Sequence, residues 1–148
     1  MSDQQPVFNI EKIYVKDLSL EIPHAPAIFL EREQPQIDMQ LHNEATKIDE
    51  GYFEASITIT VTAKLGDKTM FLAEATQAGI FQIRNVPAED MDPVLGIGCP
   101  NILFPYVRET ISDMVNRSGF PPVILSPINF EALYAQKQAA DAGQAQTH

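Results

Sequence analysis

The sequence has little of what most catalytic, metal and nucleic-acid sites are made from. It holds one cysteine, Cys99, and no tryptophan. A single cysteine excludes an intrachain disulfide, so a disulfide-stapled secreted domain is excluded and a reducing compartment fits the chain best. Basic residues are also few, since 10 Lys and Arg face 20 Asp and Glu and the formal net charge is −10. Nucleic acid and anionic membrane surfaces are therefore disfavoured as partners, because both attract clustered positive charge.

Long hydrophobic runs are missing as well. No stretch approaches the roughly 18 apolar residues of a membrane-spanning helix, and residues 2–6 lack the basic and apolar regions of a secretion signal. We therefore expect a cytoplasmic protein. Its 148 residues are 45% hydrophobic, which predicts a single folded domain over residues 1–138. From Ala139 onward there is no large apolar side chain, which predicts a disordered tail over residues 139–148.

Alternation of apolar and polar residues predicts a four-stranded sheet. The alternation is regular over residues 52–65, and Gly66 with the following aspartate predicts a tight turn into a second strand over residues 68–83. A shorter alternation over residues 37–42 predicts a third strand, followed by a turn-prone segment to Gly51. In an N-terminal strand over residues 8–22 the apolar phase changes along the run, so bulges, a bend or burial on both faces is needed.

Helical spacing follows the strands. Leu103, Val107 and Ile111 form one apolar helix face, Gly119 is the expected C-terminal end, and Asn129 is the expected N-cap of a short second helix. Four strands followed by two helices predict an α+β fold, in which the helices cover one face of a four-stranded antiparallel sheet.

Two segments rich in proline or glycine are predicted as connections. Residues 23–35 form one, and residues 87–100 form the other, with about one helical turn near Met91. Gly96 and Gly98 indicate loop geometry, because a third glycine and a phosphate-binding lysine are missing. The acidic run at residues 89–92 is interpreted as a solvated helix start rather than a cation site, since it lacks the ligand spacing of a calcium loop.

Candidate catalytic groups are sparse. Cys99 with His24 or His42 is the candidate combination of nucleophile and base. The third histidine, His148, is the last residue. A buried small thiol is the preferred interpretation of Cys99. Because no two Cys or His residues lie at ligand spacing, we expect no metal and no cofactor.

Apolar residues lie on both faces of two predicted strands, over residues 8–22 and 70–83. One layer of helices cannot cover both faces of a sheet. The second face is therefore buried by another copy of the chain or exposed for binding, with ordinary packing and a few exposed side chains as the third alternative.

Four stretches resemble the SecB family of bacterial protein-export chaperones. They are YVKDLSLE at residues 14–21, GIF at 79–81, CPNILFPYVRE at 99–109 and PINFEALY at 127–134. The likeness extends from about Phe8 to Tyr134 in the same order. It implies a homotetramer, built as a dimer of dimers, that holds unfolded precursor proteins without ATP and passes them to the motor ATPase SecA. It also implies that the protein is not an enzyme.

The resemblance also implies functional residues. SecA would contact Asp17, Glu21, Leu72 and Glu74, and clients would bind in a groove formed by Phe71, Ala73, Ala75 and Gln77. This chain departs from other members at Glu33, where a tryptophan is common. A small-molecule-binding enzyme that uses Cys99 and a structural adaptor remain the alternatives.

Overall fold

Four long antiparallel strands and a C-terminal helical part build the fold. The computed structural model describes residues 5–146. The strands are β1 (Val7–Glu21), β2 (Gln36–Asp49), β3 (Tyr52–Leu65) and β4 (Lys68–Arg84), and the helices are α1 (Ala88–Pro93), α2 (Cys99–Arg117) and α3 (Phe130–Gln146). A four-residue 3₁₀ turn (Ala27–Leu30) lies in the connection between β1 and β2.

The sheet has the strand order β1-β4-β3-β2, with every neighbouring pair antiparallel. The predicted α+β fold with a four-stranded antiparallel sheet is confirmed. β3 has the predicted bounds, and its turn into β4 has Gly66 at φ 60°. β2 is longer than expected because residues 43–49 continue to pair with β3, and the turn into β3 contains Gly51 at φ 78°.

Two bulges in β1 resolve the phase change in its apolar pattern. The register shifts between Ile10 and Lys12 and again between Val15 and Asp17. Each shift restores the apolar residues to the same side, because one extra residue reverses the direction of every later side chain. Six apolar side chains of β1 therefore share the face of the sheet on which α2 packs: Phe8, Ile10, Ile13, Val15, Leu18 and Leu20.

The core lies between α2 and the central strands. Leu103, Val107 and Ile111 are fully buried, as their spacing predicts, and they face the branched side chains of β3, of which Ile57 and Ile59 are also fully buried. Burial of each such side chain stabilises the fold by about 1.5–3 kcal/mol relative to exposure.

The C-terminal end of α2 also follows the prediction. The helix ends at Arg117, and Gly119 takes φ 97°, the left-handed conformation that glycine adopts without strain. The Gly119 N–H donates to the carbonyl of Asn116 at 3.2 Å.

The helical turn predicted near Met91 is present as α1, but the loop predicted for the rest of residues 87–100 was wrong. After α1, a π-helical segment (Val94–Gly98) leads directly into α2. Pro100 lies in the first turn of α2, where proline is tolerated because that N–H has no partner within the helix. Gly96 allows close packing, since a Cβ atom there would lie 2.9 Å from the ring of Tyr134 in α3.

The tail differs from the expectation too. α3 continues from Ala139 to Gln146, where the sequence predicts disorder, and residues 1–4, 147 and 148 lie outside the described residues. Asn129 caps α3 as predicted, since the Ala132 N–H donates to its Oδ1 at 3.0 Å. This end of α3 has no large apolar residue in its sequence, but it is rich in alanine, which favours a helix even without packing against the rest of the fold.

Candidate functional site

An apolar groove opens at one end of the helix-covered face. Its cavity has a volume of about 570 Å³ and lies between the connection at residues 28–37, the start of β4 and the segment after α2. The apolar groove is lined mainly by Ile28, Phe29, Ile37, Met70, Phe71 and Phe120. Ile28 is 1% exposed and anchors the connection, whereas Leu30 is 82% exposed beside it.

Three phenylalanine rings form the wall of the apolar groove. Phe29 stacks on Phe120 with the ring centroids 4.9 Å apart, and Phe71 lies against the same ring at 5.2 Å. Gly119 allows this contact, because a Cβ atom there would lie 3.1 Å from the Phe29 ring. Such a wall can bind apolar and aromatic side chains through burial and ring stacking.

A bulge brings a second β4 residue into the groove. The register between β3 and β4 shifts beside Lys64, so Met70 is an extra residue in the ladder. Met70 therefore lines the apolar groove together with Phe71, although simple alternation predicts opposite faces for these neighbours. Methionine is flexible and fills irregular apolar space, which suits a site that accepts varied side chains.

The predicted client residues share one face of β4, but only Phe71 reaches the groove. Ala73 and Ala75 are fully buried and Gln77 is 4% exposed, on the face of the sheet that α2 covers. The Oε1 atom of Gln77 lies 3.3 Å from Oγ1 of Thr110 in α2. Ala73 and Ala75 let α2 approach the sheet closely because their side chains are small, and Gln77 accepts the hydrogen bond from Thr110.

The opposite side of the sheet, called here the outer face, carries the four predicted SecA-contact residues. The register of β1 and β4 aligns Asp17 with Thr76 and Glu21 with Leu72. Glu74 lies between these two positions on β4, so all the side chains of this group lie on one face. Alternation in the sequence predicted that Asp17 and Glu21 share a face of β1 and that Leu72 and Glu74 share a face of β4. It did not predict that the two pairs lie on the same side of the sheet.

The acidic group, formed by the carboxylates of the outer face at the predicted SecA contact, is not neutralised by a described basic side chain. Among the described residues, Asp17, Glu21 and Glu74 form no ion pair within 4.0 Å. Glu74 instead accepts a hydrogen bond from the hydroxyl of Thr60 on β3, with 2.7 Å between Oγ1 and Oε2. The group therefore presents uncompensated negative charge, which favours a partner with basic side chains.

Another carboxylate on the outer face is compensated. Glu54 accepts hydrogen bonds from Lys16, at 2.8 Å, and from the hydroxyl of Tyr14. The hydrogen bonds from Lys16 and Tyr14 lower the pKa of Glu54. The hydrogen bond that Lys16 donates to Glu54 in turn raises the pKa of Lys16. Burial, followed by the neighbouring Glu54, raises the pKa of Tyr14 to about 12. This cluster is an internal contact rather than an acidic site.

Cys99 is buried, as its preferred interpretation expects. Its side chain is 0% exposed at the start of α2, and burial raises the pKa of its thiol to about 12. A thiol with a raised pKa is protonated at neutral pH and is a poor nucleophile. His24 and His42 are exposed. In the part of the chain that the structure describes, no three His, Cys, Asp or Glu side chains are grouped to hold a metal ion.

One edge of the sheet leaves an apolar row uncovered. Phe8, Ile10, Val15 and Leu18 are between 40% and 54% exposed on the helix-covered face of β1. β1 pairs with β4 on one side, and within the described residues its other side has no strand. An exposed apolar row beside an open edge is a surface for association.

Sequence reasoning missed the residues that make the groove aromatic. Phe29 lies in the proline-rich connection and Phe120 follows α2, so neither belongs to a periodic pattern. The sequence did contain a signal for Phe120, which lies between Gly119 and two prolines. A large aromatic ring in such an irregular segment is expected to pack against another apolar side chain. Thr60 was also missed, since alternation describes it as one of several polar residues on the wet face of β3.

These features are typical of a binding protein: an α+β domain with an apolar groove on one side of its sheet and an acidic group on the other. No described helix is long and apolar enough to cross a membrane. The family model for the preprotein translocase subunit SecB matches residues 1–141.

Close relatives agree with that match. The protein-export protein SecB of Chromobacterium violaceum is 65% identical over 98% of this chain and 100% of its own. That of Thiobacillus denitrificans is 64% identical over the full length of both. A solved SecB-like chaperone from Mycobacterium tuberculosis, in complex with a ChAD peptide from the HigA1 antitoxin, has the same fold. It matches with a TM-score of 0.68 at 17% identity, over 82% of this chain and 90% of that one.

The chain belongs to the SecB family. Its role is that of a chaperone in protein export.

Proposed function

We propose that this chain is one subunit of a cytoplasmic homotetramer, a dimer of dimers, that holds unfolded precursor proteins and delivers them to SecA without ATP and without catalysis of its own. The observation that carries the proposal is the position of the apolar groove and the acidic group on opposite faces of one sheet. A client in the groove leaves the outer face free, so the same particle can hold its client while it docks on the motor.

Client binding is assigned to the apolar groove, with Phe71, Phe29 and Phe120 as its main contacts. Ala73, Ala75 and Gln77 support this site from beneath α2 instead of touching the client, because they do not line the groove, whereas Phe71, itself 2% exposed, does. Apolar burial selects for unfolded chains without selecting a sequence. One groove binds weakly, and a long client gains affinity by occupying several grooves of the assembly. The solved SecB-like relative is in complex with a peptide, which supports client binding in general.

SecA docking is assigned to Asp17, Glu21, Leu72 and Glu74. Three carboxylates and a half-buried leucine lie on the outer face of the edge strand β1 and of its neighbour β4. The charges attract a basic surface from a distance, and Leu72 provides apolar contact once the surfaces meet.

Assembly of the subunits is assigned to β1. Its open edge supplies unpaired backbone groups, and its uncovered apolar row supplies surface that water disfavours. A second copy of the chain satisfies both requirements.

The experiment combines native mass with suppression of aggregation of a chemically unfolded precursor. We expect a tetramer that suppresses aggregation, Phe71→Ala to lose most of this holding activity at unchanged mass, and Glu74→Lys to weaken SecA binding while holding stays intact. Equal loss of SecA and client binding in Glu74→Lys would contradict the separation of the two sites. A fall to monomer in Phe71→Ala would make Phe71 structural.

Thiol alkylation separates the remaining alternative. Cys99 should react slowly in the folded protein, and holding activity should persist, because the thiol is buried. Fast modification with loss of a small-molecule activity would favour the enzyme. An adaptor that binds only folded partners would fail to suppress aggregation.

A further inference from the structure

The two half-buried glutamates of the outer face differ in their partners. Glu54 is held by the cation of Lys16 and by the hydroxyl of Tyr14. Glu74 is held by a neutral hydroxyl, that of Thr60, and forms no ion pair with a described residue. The charge of Glu54 is thus compensated within the subunit, whereas that of Glu74 is oriented without being neutralised.

The hydrogen bond to Glu74 follows from the register of the sheet. Thr60 on β3 is directly opposite Glu74 on β4, and both side chains lie on the outer face. Cross-strand neighbours of this kind are close enough for side-chain contact. The Thr60 hydroxyl donates to Oε2 at 2.7 Å, which leaves Oε1 available to an incoming donor.

Orientation matters because a free glutamate side chain has many rotamers. A binding partner that must immobilise such a side chain loses affinity in ordering it. A hydrogen bond formed before docking removes part of that loss. The β-branched Thr60 is itself restricted at χ1 within its strand, so its hydroxyl is a well-defined donor.

We propose that Thr60 is a positioning residue of the SecA-docking surface, which holds the Glu74 carboxylate ready to accept a hydrogen bond from a basic side chain of SecA. The inference rests on the proposed docking function of Glu74. It adds that β3, which contributes none of the four assigned contacts, sets the geometry of one of them.

The test measures affinity for purified SecA by titration calorimetry with the full-length protein. Thr60→Val keeps the shape and removes the donor, and we expect it to weaken SecA binding roughly threefold to tenfold, the range in which the ordering of one side chain changes affinity. Thr60→Ser keeps the hydroxyl and should restore most of the affinity. Native mass and client holding should match the unmodified protein in both variants.

Thr58→Val is the matched control. Thr58 lies two residues away on the same face of β3, and its hydroxyl is 2.8 Å from that of Thr76 on β4. The variant loses a cross-strand hydrogen bond between the same two strands but does not touch Glu74. We expect its affinity for SecA to be unchanged, and a loss equal to that of Thr60→Val would overturn the inference in favour of a general effect on the sheet.

A double-mutant cycle with Glu74→Gln separates the possible failures. If Thr60 acts through Glu74, Thr60→Val should have little further effect once the carboxylate is gone. Additive losses would overturn the inference, because Thr60 would then contact SecA directly. If Glu74→Gln weakens binding but Thr60→Val does not, the docking surface stands and the positioning role is wrong. If Glu74→Gln itself has no effect, the proposed docking function of Glu74 fails, and the inference with it.

Discussion

The two faces of the sheet share the same strands but have different surroundings. On the helix-covered face, β3 and β4 present mainly apolar side chains, most of which are almost completely buried. On the outer face, the same strands present threonine and glutamate side chains that bond to one another across the ladder. Over β3 and β4 the covered face is therefore used for stability, and binding is possible there only in the groove beyond the end of α2. The outer face contributes less to stability, and at Leu72, Glu74 and Thr76 it stays partly exposed to a partner.

Adjacent residues of β3 give the sharpest test of this comparison and the largest expected effect. Ile59 is fully buried under α2, and Thr58 points to the outer face. Ile59→Ala should lower the free energy of unfolding by roughly 2–5 kcal/mol, because it leaves a cavity. Thr58→Ala should cost about 0.5–1.5 kcal/mol, the range of one hydrogen bond.

Denaturant unfolding at one fixed protein concentration measures both variants, since association contributes to the stability of an oligomer. Similar losses for the two variants would show that the outer face is also buried, most simply by another copy of the chain. The comparison between a covered and a free face would then be wrong.

A second pair of neighbours tests β1, where the covered side of the sheet loses its helix. Leu18 belongs to the apolar row and is 54% exposed, whereas Ser19 lies on the outer face opposite Glu74. Leu18→Asp should weaken subunit association at least about tenfold, because an unpaired carboxylate would be buried between subunits. Ser19→Asp should leave the native mass unchanged.

Native mass spectrometry across a dilution series distinguishes the two variants. An unchanged mass for Leu18→Asp at every concentration would mean that the apolar row is not a subunit interface. A lower mass for Ser19→Asp instead would move the interface to the outer face, where it would compete with the proposed SecA contacts.

The regular strands were predictable because their pattern has no interruption. The bounds of β3 follow from alternation, and Gly66 marks the turn. β1 shows the limit of this reasoning: the phase change signalled an irregularity, but two bulges, a bend and two-sided burial fit the sequence equally well. Pairing with β4 decided between them, and such pairing is a long-range property.

The helical part shows a different limit. Local rules for proline and glycine predicted a loop at residues 87–100, yet this segment is helical. Gly96 is present for the close approach of Tyr134 from α3, a tertiary contact that no local rule contains. The groove was hard to predict for the same reason, because Phe29 and Phe120 come from two irregular segments that meet only in the folded chain.

The smallest expected effect concerns the compensated carboxylate of the outer face. At neutral pH, Glu54→Gln should lower the free energy of unfolding by about 0.5–1.5 kcal/mol, because it weakens the contacts with Lys16 and Tyr14. The lowered pKa of Glu54 means that its contribution is present above the ordinary Glu pKa of 4.5 and is lost as the pH falls through the lower pKa of the folded state. The difference between variant and unmodified protein should therefore shrink as the pH falls below 4.5.

Glu50→Gln is the control for this titration. Glu50 is bonded to Lys47 at 3.0 Å, but its side chain is 85% exposed, so solvent and salt screen the pair and the variant should have no measurable effect at any pH. Denaturant unfolding between pH 7 and pH 3, at about 0.1 M salt, provides the measurement. If the difference in the free energy of unfolding between Glu54→Gln and the unmodified protein stays constant over this range, the contact stabilises the fold equally with a neutral carboxyl. The charge of Glu54 would then not be what distinguishes it from Glu74.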